Sequence, residues 1–258
     1  MKPEVILLGI IQGLTEWIPI SSTGHIRLIE ILLGMKPPLL FDVALHIGTV
    51  IVTIVFFRRD IKGILDALVK LDFNSDSGLL LQNIFIGSIF TAITGLTVTV
   101  FLEELFCEVK FIGFFFILSG LLIYFSRAKV SGKDGIDFTS AAIIGVAQGF
   151  SIIPGLSRSG LTISVALMLG VKREEAFKFS FLLSIPAILG ALILMSCRQY
   201  SGLLEAGVGL EDIALGVFIS MLLGYISLKF LRRFLHKFHI FSFYPVALGL
   251  ALILFSKI

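Results

Sequence analysis

Two short polar segments interrupt otherwise apolar stretches of the chain, and their side chains suit the binding of a phosphate group. Residues 16–25 read EWIPISSTGH, and residues 154–160 read PGLSRSG. Gln12 and Glu16 are spaced i,i+4, so they share one face of the helix that leads into the first segment. Arg158, in the second segment, supplies planar donors that suit phosphate oxygens. These residue types predict a pocket for a phosphate or pyrophosphate group.

A helix is expected to begin beside each polar segment. Ser22 is the predicted N-cap of the first helix, with His25 three residues further on and on the same side, and Ser157 is the predicted N-cap of the second. Two helix N-termini, each with free N–H groups and a positive dipole end, then point toward the middle of the molecule. The residues predicted to bind substrate there are Gln12, Ser21, Thr23, Gly24, Ser157, Ser159, Gly160 and Thr162.

Charged residues inside apolar sequence need an explanation, because burying a charge in lipid is expensive. Glu16 and Arg158 are therefore functional candidates, although an ion pair between the two segments is an alternative account of both. Asp42 and His46, spaced i,i+4 on the next apolar stretch, could face either the site or the membrane interface, and they stay unassigned.

The composition indicates a membrane protein. Hydrophobic residues make up 57% of the 258 residues even before the 25 glycines are counted, the mean hydropathy is +1.02, and only 15% of residues are charged. Soluble domains are about 45–50% apolar and about 25% charged, so lipid must be the solvent for much of this surface. This excludes a soluble enzyme, a disordered chain and a nucleic-acid binder that acts through a basic surface.

Six apolar stretches are long enough, or nearly so, to cross a bilayer of about 30 Å. They are residues 39–57, 83–102, 110–126, 177–197, 212–230 and 240–257. Two further regions, 4–33 and 138–170, each consist of two short apolar pieces broken by one of the polar segments. Unwound backbone at membrane depth is tolerated only where protein or water covers it. Each region is therefore predicted to form a re-entrant hairpin that lines a cavity.

The two hairpin regions are related by a shift of 136 residues, which pairs Gly9 with Gly145, Gln12 with Gln148, Gly13 with Gly149 and Gly24 with Gly160. We interpret this as an internal duplication within one membrane domain, residues 1–258, with repeat 1 at about 1–126 and repeat 2 at about 137–258. Each half has one hairpin and three crossings, so the halves are inverted. The predicted fold is an all-α polytopic membrane protein with six transmembrane helices and two re-entrant hairpins.

The distribution of Lys and Arg predicts the orientation. Fourteen of the 21 lie in residues 58–82, 127–137, 171–178 and 229–239, which the positive-inside rule places in the cytoplasm. Both termini and the mouth of the first hairpin are then extracytoplasmic.

Residues 58–72 carry Ile61, Leu65, Leu68 and Leu71 on one face and predict an amphipathic helix on the cytoplasmic interface. Arg27 and Glu30, spaced i,i+3, predict an ion pair within the first hairpin.

QGLTEWIPISSTGH at 12–25 and PGLSRSG at 154–160 resemble the two signature segments of the undecaprenyl-pyrophosphate phosphatase (BacA/UppP) family. The first is similar to an (E/Q)xxxE element followed by P-x-S-S-T/S-G-H, and the second to P-G-x-S-R-S-G. FDVALHIGT at 41–49 and FSFLLSIPA at 179–187 also resemble family segments. The resemblance covers essentially the whole chain.

This resemblance implies an integral hydrolase of the cell membrane that converts undecaprenyl pyrophosphate to the monophosphate and inorganic phosphate. The activity recycles the lipid carrier for peptidoglycan and cell-wall synthesis and confers bacitracin resistance. The implied catalytic residues are Glu16, Ser22, His25 and Arg158. A divalent cation, Mg²⁺ or Ca²⁺, is also implied, with Glu16 as its ligand and Gln12 nearby. Many family members have Glu where this chain has Gln12, which leaves the strength of cation binding open.

Three mechanisms fit the spacing of these residues. In each of them Arg158 and the two helix N-termini bind the pyrophosphate. Ser22 attacks with Glu16 or His25 as base, His25 itself attacks, or water attacks beside a cation on Glu16. The rival function is a polyprenyl-phosphate transporter or flippase without hydrolysis, because inverted repeats with broken helices are typical of transporters. A structural membrane protein is a third alternative. The expected partners are the polyprenyl pyrophosphate lipid, membrane lipids and a second copy of the chain in a homodimer, with no nucleic acid.

Overall fold

The structure is a computed structural model, and it describes residues 3–35, 39–102, 108–128, 132–205 and 209–255. Within these ranges the regular structure is helical, which confirms the all-α prediction. The α-helices are α1 Pro3–Thr15, α2 Ser22–Leu33, α3 Leu39–Phe56, α4 Arg58–Lys70, α5 Asp76–Leu102, α6 Val109–Phe125, α7 Phe138–Phe150, α8 Arg158–Met168, α9 Arg173–Glu205, α10 Leu210–Phe234 and α11 Phe243–Phe255. Two 3₁₀ segments, Ser126–Ala128 and Leu235–Ser242, join α6 to the following loop and α10 to α11.

Several helices are long and apolar enough to cross a membrane. The segments Asp76–Phe101, Arg173–Ser196 and Leu210–Phe255 meet both criteria, and α3 with α4 adds a fourth if that bent pair is one span. At 1.5 Å per residue a span needs about 20 residues. The six predicted stretches fall on α3, α5, α6, α9, α10 and α11, and the described part of the chain therefore supports a polytopic membrane protein. Both chain ends, residues 1–2 and 256–258, lie outside the described residues.

The amphipathic segment predicted at 58–72 is the helix α4. The chain bends by 82° between α3 and α4, so α4 lies across the direction of the preceding span. Ile61 packs against the core, whereas Leu65 and Leu68 are about half exposed. An apolar face left uncovered beside charged residues is typical of a helix in the membrane interface.

Each predicted hairpin region forms two short helices around a non-helical turn. α1 and α2 flank the first turn and α7 and α8 flank the second, and each helix has 11 to 13 residues. Such helices are roughly 16–20 Å long, too short to cross a bilayer of about 30 Å alone. Asp137 caps α7 by accepting a hydrogen bond from Ser140 N (2.8 Å). Its hydrogen bonds with Lys133 and Ser140 hold the pKa of Asp137 well below its usual range.

The helices of the two halves pack in an exchanged pattern. α1 packs against α10, its counterpart α7 packs against α5, and α6 packs against α11. A methyl group on Gly9 would lie 3.0 Å from the carbonyl oxygen of Gly216, and one on Gly145 would clash with the carbonyl oxygen of Gly87. Small residues allow such close approach of membrane helices. The repeat-related glycines thus seat each hairpin against a long helix of the other half.

The largest buried cluster lies beside the second hairpin and joins α3, α8, α9 and α10 to the turn of the first hairpin. Its most deeply buried large side chains include Trp17, Ile163, Phe177, Phe181 and Leu228. Trp17 and Phe181 pack with their ring centroids 5.1 Å apart. Since Trp17 directly follows Glu16 in the first turn, this packing positions that turn against α9.

Candidate active site

The turns of the two hairpins are joined by one serine hydroxyl. Ser21 Oγ accepts hydrogen bonds from Gly24 N (3.2 Å) and from Gly155 N (3.1 Å), and it donates to Leu156 O (3.2 Å). Ser21, with φ 68° and ψ 92°, is therefore the N-cap of α2. The prediction of Ser22 as the N-cap was wrong by one residue. Ser22 is the first residue of the helix, and its hydroxyl is left available for another partner.

The second helix start is built as predicted. Ser157 is the N-cap of α8, and its Oγ accepts from Gly160 N at 3.1 Å. Its backbone N–H donates to Ser119 Oγ at 3.2 Å, which fixes the turn to α6. Arg158 consequently occupies the first position of α8, where the positive end of the helix dipole lies.

Most of the remaining predicted binding residues lie in the packing around these turns. Ser159 and Thr162 are buried; Ser159 Oγ contacts Trp17 O (3.4 Å), and Thr162 Oγ1 shares a hydrogen bond with Ser180 Oγ (2.5 Å). The other three positions, Thr23, Gly24 and Gly160, line the start of α2 or α8. Thr23 is half-buried with Oγ1 3.4 Å from Ser21 Oγ. A methyl group on Gly24 would lie 2.8 Å from Gly155 N, so the two hairpins meet backbone to backbone.

Glu16 is the centre of a buried polar cluster. Ser22 Oγ donates to Glu16 Oε2 at 2.5 Å, and Gln12 Nε2 donates to the same oxygen at 3.2 Å. Arg158 Nη2 donates to Glu16 Oε1 and forms an ion pair with it. The Glu16 side chain is 4% exposed and that of Arg158 is 13% exposed. The structure thus brings Gln12, Glu16, Ser22 and Arg158 into one network across the two hairpins.

The ion pair with Glu16 leaves part of the Arg158 guanidinium unused. Arg158 Nη1 is buried and has no hydrogen-bond partner among the described residues. The guanidinium carbon lies 5.9 Å from the ring centre of Trp17 and 5.8 Å from that of Phe181. Aromatic rings at this distance attract a cation. A buried donor whose hydrogen bond is not made costs free energy. Arg158 can therefore hold Glu16 and still bind an anionic oxygen.

His46 joins this network from α3. Its Nδ1 lies 2.8 Å from Gln12 Nε2 and 3.5 Å from Glu16 Oε2. The sequence left this residue unassigned, although it lies in the segment 41–49 that resembles the family, is spaced i,i+4 from Asp42 and is polar inside a strongly apolar helix. The tertiary packing of α3 determines that His46 faces the site.

His25 lies in a different set of contacts. Its Nδ1 is 2.7 Å from Ser21 O, and its Nε2 is 2.8 Å from the Tyr244 hydroxyl. The ring stacks on Tyr244, with centroids 5.7 Å apart, and meets Phe116 edge-on. Both ring nitrogens are thus engaged, and within the described residues neither bonds to Glu16, Ser22 or Arg158. Tyr244, on α11, had no signal in the sequence.

The side chains at the site do not by themselves fit a resident divalent cation. Within the described ranges, no three His, Cys, Asp or Glu residues are grouped as metal ligands. Both oxygens of Glu16 accept hydrogen bonds, one of them from the cationic Arg158, which would repel a metal ion. Gln12 Oε1 is buried without a partner in the described structure and is a further oxygen donor, but Mg²⁺ and Ca²⁺ require six or more ligands.

The geometry suits nucleophilic displacement at phosphorus. Ser22 is a hydroxyl in hydrogen-bond contact with a carboxylate base, which is the arrangement that activates a serine nucleophile. Arg158, the first residue of α8, carries a positive charge of the kind that stabilises a transferring phosphoryl group. The network is largely removed from water, since the side chains of Glu16 and Arg158 are mostly buried.

Comparison with known proteins points to one family. Residues 5–251 match the family described as Bacitracin resistance protein BacA. An undecaprenyl-diphosphatase from Carboxydothermus hydrogenoformans is 40% identical, over 97% of this chain and 95% of the relative. Relatives of the same name from Korarchaeum cryptofilum and Methanosphaera stadtmanae are 39% and 34% identical, and each alignment covers at least 97% of both chains. With nearly its whole length matched, and with both polar segments brought into one buried site, this chain belongs to the BacA family.

Proposed function

We propose that this protein hydrolyses undecaprenyl pyrophosphate, or a similar polyprenyl pyrophosphate, to the monophosphate and inorganic phosphate. The observation that carries the proposal is the Ser22–Glu16 hydrogen bond of 2.5 Å beside the buried guanidinium of Arg158. The name undecaprenyl-diphosphatase, shared by relatives that align over almost the full chain, supports this substrate. The wider roles that we propose are recycling of the lipid carrier for cell-wall synthesis and resistance to bacitracin.

Arg158 binds the pyrophosphate and stabilises the charge that develops on the transferring group. Its Nη1 is a buried donor without a protein partner in the described structure. Arg158 is also the first residue of α8, and the dipole of that helix favours an anion at this end. The exposed apolar helices provide a lipid-facing surface along which the polyprenyl chain lies. Binding energy from the chain then holds the headgroup in one orientation at Ser22.

Ser22 is the proposed nucleophile. Its oxygen forms a bond to the terminal phosphorus while its proton passes to Glu16 Oε2, and the bond from that phosphorus to the bridging oxygen breaks, releasing the polyprenyl monophosphate. Glu16 then gives that proton to the bridging oxygen of the departing monophosphate and becomes a carboxylate again. Water attacks the phosphoserine while its proton passes to Glu16, and the bond from phosphorus to Ser22 Oγ breaks as Glu16 returns the proton to that oxygen, which releases inorganic phosphate and restores Ser22. Attack by His25 or directly by water are the competing routes. Ser22 is favoured because it bonds to the base, whereas both His25 nitrogens have other partners.

In this proposal a divalent cation binds only together with the substrate, and not to the protein alone. Mg²⁺ is commonly held by one or two carboxylates together with substrate phosphates, and here Glu16 and Gln12 Oε1 would be the protein oxygens available to it. Every step above is carried by the side chains of the protein.

The reaction is tested with purified protein in detergent. Inorganic phosphate is expected to be released from undecaprenyl pyrophosphate with Mg²⁺ or Ca²⁺ present, and the product is the monophosphate by mass spectrometry. Detergent micelles have no two sides, so release there separates hydrolysis from transport. A protein that moves polyprenyl phosphate between the leaflets of vesicles but releases no phosphate in micelles would be the flippase alternative.

The proposed membrane arrangement has six crossings, two re-entrant hairpins and two inverted repeats, at about 1–126 and 137–258, in one domain. The exchanged packing of α1 on α10 and of α7 on α5 supports the repeat. Three of the four basic segments, 127–137, 171–178 and 229–239, contribute residues to one cavity. Lys172 pairs with Asp134 at 2.5 Å, and Arg127, Arg173 and His239 line this cavity of about 260 Å³. We propose that the end with this cavity is cytoplasmic, that the site opens to the outside of the cell membrane, and that two copies form a homodimer.

Cysteine labelling in intact cells tests this orientation. In a variant with Cys107 and Cys197 replaced by serine, Asp134→Cys is expected to resist an impermeant thiol reagent, while Glu108→Cys, at the start of α6, is labelled. Both are expected to react with a permeant reagent, which controls for accessibility. Labelling of Asp134→Cys but not of Glu108→Cys by the impermeant reagent contradicts the orientation.

A further inference from the structure

His46 touches the base of the proposed reaction without belonging to either hairpin. Its Nδ1 lies 3.5 Å from Glu16 Oε2 and 2.8 Å from Gln12 Nε2. The His46 side chain is 16% exposed, so these contacts are largely removed from solvent. His46 lies in the segment 41–49, outside both polar segments, and the sequence alone assigns it no role.

The amide of Gln12 bridges the carboxylate and the imidazole. A glutamine Nε2 carries two N–H groups, and here one is directed at Glu16 Oε2 (3.2 Å) and the other at His46 Nδ1 (2.8 Å). The opposite amide orientation would place Gln12 Oε1 against the carboxylate oxygen, which is repulsive, so the network assigns the donor direction. His46 Nδ1 is then an acceptor, and the ring proton is on Nε2.

His46 is itself held firmly. Thr49 Oγ1 donates to His46 O at 2.7 Å, and Ser220 Oγ on α10 donates to Leu45 O at 2.7 Å. α3 packs closely on α9 and α10 as well. The imidazole therefore projects from a well-packed part of the molecule, which makes it a suitable support for the Gln12 side chain.

We propose that His46 is a positioning residue of the active site, which accepts a hydrogen bond from Gln12 and thereby holds Glu16 Oε2 toward Ser22. The inference rests on the proposed function, because it concerns the base of that reaction. Arg158 restrains one carboxylate oxygen, and the Gln12–His46 pair restrains the other. A general base must lie within hydrogen-bond reach of the proton that it takes, and a shift of 1 Å can lower a rate about 100-fold.

The test measures kcat and KM for phosphate release by the full-length protein with His46 replaced. His46→Ala is expected to lower kcat about 10- to 100-fold with little change in KM, because His46 contacts the base and not the substrate. His46→Asn is expected to recover most of the loss, since its Oδ1 can accept from Gln12 near the position of Nδ1. Thr53→Ala is the matched control on α3: Thr53 is buried, donates only to Thr49 O, and should leave kcat unchanged.

A double-mutant cycle makes the test specific to the bridge. Gln12→Ala and His46→Ala act through the same contact, so the double variant is expected to be no slower than the slower single variant. The inference is overturned if the fold-losses in kcat of the two single variants multiply in the double variant. It is also overturned if His46→Ala has the kcat of the wild type, or if His46→Asn is as slow as His46→Ala. If His46→Ala does not fold, His46→Leu replaces it, since it fills similar volume without an acceptor.

The wild-type protein in the same assay separates the two claims. If the wild type releases phosphate and the His46 variants match it, this inference fails and the proposed function stands. If the wild type releases none, the proposed function fails, and the inference fails with it.

Discussion

Replacing Arg158 with alanine is expected to lower phosphate release by at least about 10³-fold, the range found when an arginine or an oxyanion donor is removed from a phosphoryl- or acyl-transfer site. Arg158 Nη1 is buried without a protein partner in the described structure, so it is a charged donor that can bind the substrate. The loss is expected in kcat/KM for undecaprenyl pyrophosphate, measured as initial rates of phosphate release in detergent.

The alanine variant also leaves Glu16 as a buried charge without its cation, which costs about 3–5 kcal/mol of stability. Thermal unfolding must therefore be followed for each variant. The better comparison is between two Arg→Lys variants, one in each hairpin: Arg158→Lys in the second and Arg27→Lys in the first. Arg158→Lys keeps the charge beside Glu16 but loses the second donor of the planar fork, and it is expected to stay folded yet be at least about 10²-fold slower.

Arg27→Lys is the matched control. Arg27 pairs with Glu30 at 2.9 Å, which confirms the predicted ion pair, and lysine can keep that pair. Activity close to that of the wild type is expected. If Arg158→Lys were as active as Arg27→Lys, a bidentate role for Arg158 would be excluded, and the arginine would serve only to neutralise Glu16.

Ser22→Ala is expected to abolish turnover, with a loss of at least about 10³-fold, because nothing else in the network carries the hydroxyl that bonds to Glu16. The fold should persist, since Ser21 and not Ser22 caps α2 and ties the two hairpins together. Wild-type protein quenched during turnover is expected to carry phosphate on Ser22, located by mass spectrometry of its peptides.

Ser184→Ala controls for the loss of a buried serine. Its hydroxyl donates to the backbone oxygen of Phe181 within α9 and not to Gln12, Glu16, Ser22 or Arg158, so turnover should be retained. Phosphate found on His25 would identify the histidine as the nucleophile. An active Ser22→Ala variant with no phosphorylated protein would indicate direct attack by water.

Much of the site follows from local sequence. Glu16 N still bonds to Gln12 O (3.0 Å) at the end of α1, so the i,i+4 spacing places both side chains on one face as expected. The proline- and glycine-containing segments break the helices where predicted, and Ser157 caps α8. These features depend on hydrogen bonds and torsion angles within a few residues, which the order of residues specifies.

The N-cap of α2 shows where local reasoning stops. Ser21 and Ser22 are chemically equal candidates for the cap. Ser21 is selected because its hydroxyl also accepts a hydrogen bond from Gly155, 134 residues away in the other hairpin. That contact stabilises the positive φ of Ser21, and as a consequence the Ser22 hydroxyl turns to Glu16.

The sequence by itself determined that the chain is helical and apolar, where its helices are interrupted, and which polar residues lie at the interruptions. Tertiary structure alone decided that His46 belongs to the Glu16 network and that His25 belongs with Tyr244. The physical reason is that α3 and α11 are strongly apolar helices with few polar side chains, and this pattern does not reveal which other helix a polar side chain meets. Only the packing of helices from distant parts of the chain brings one polar side chain of each to its partner.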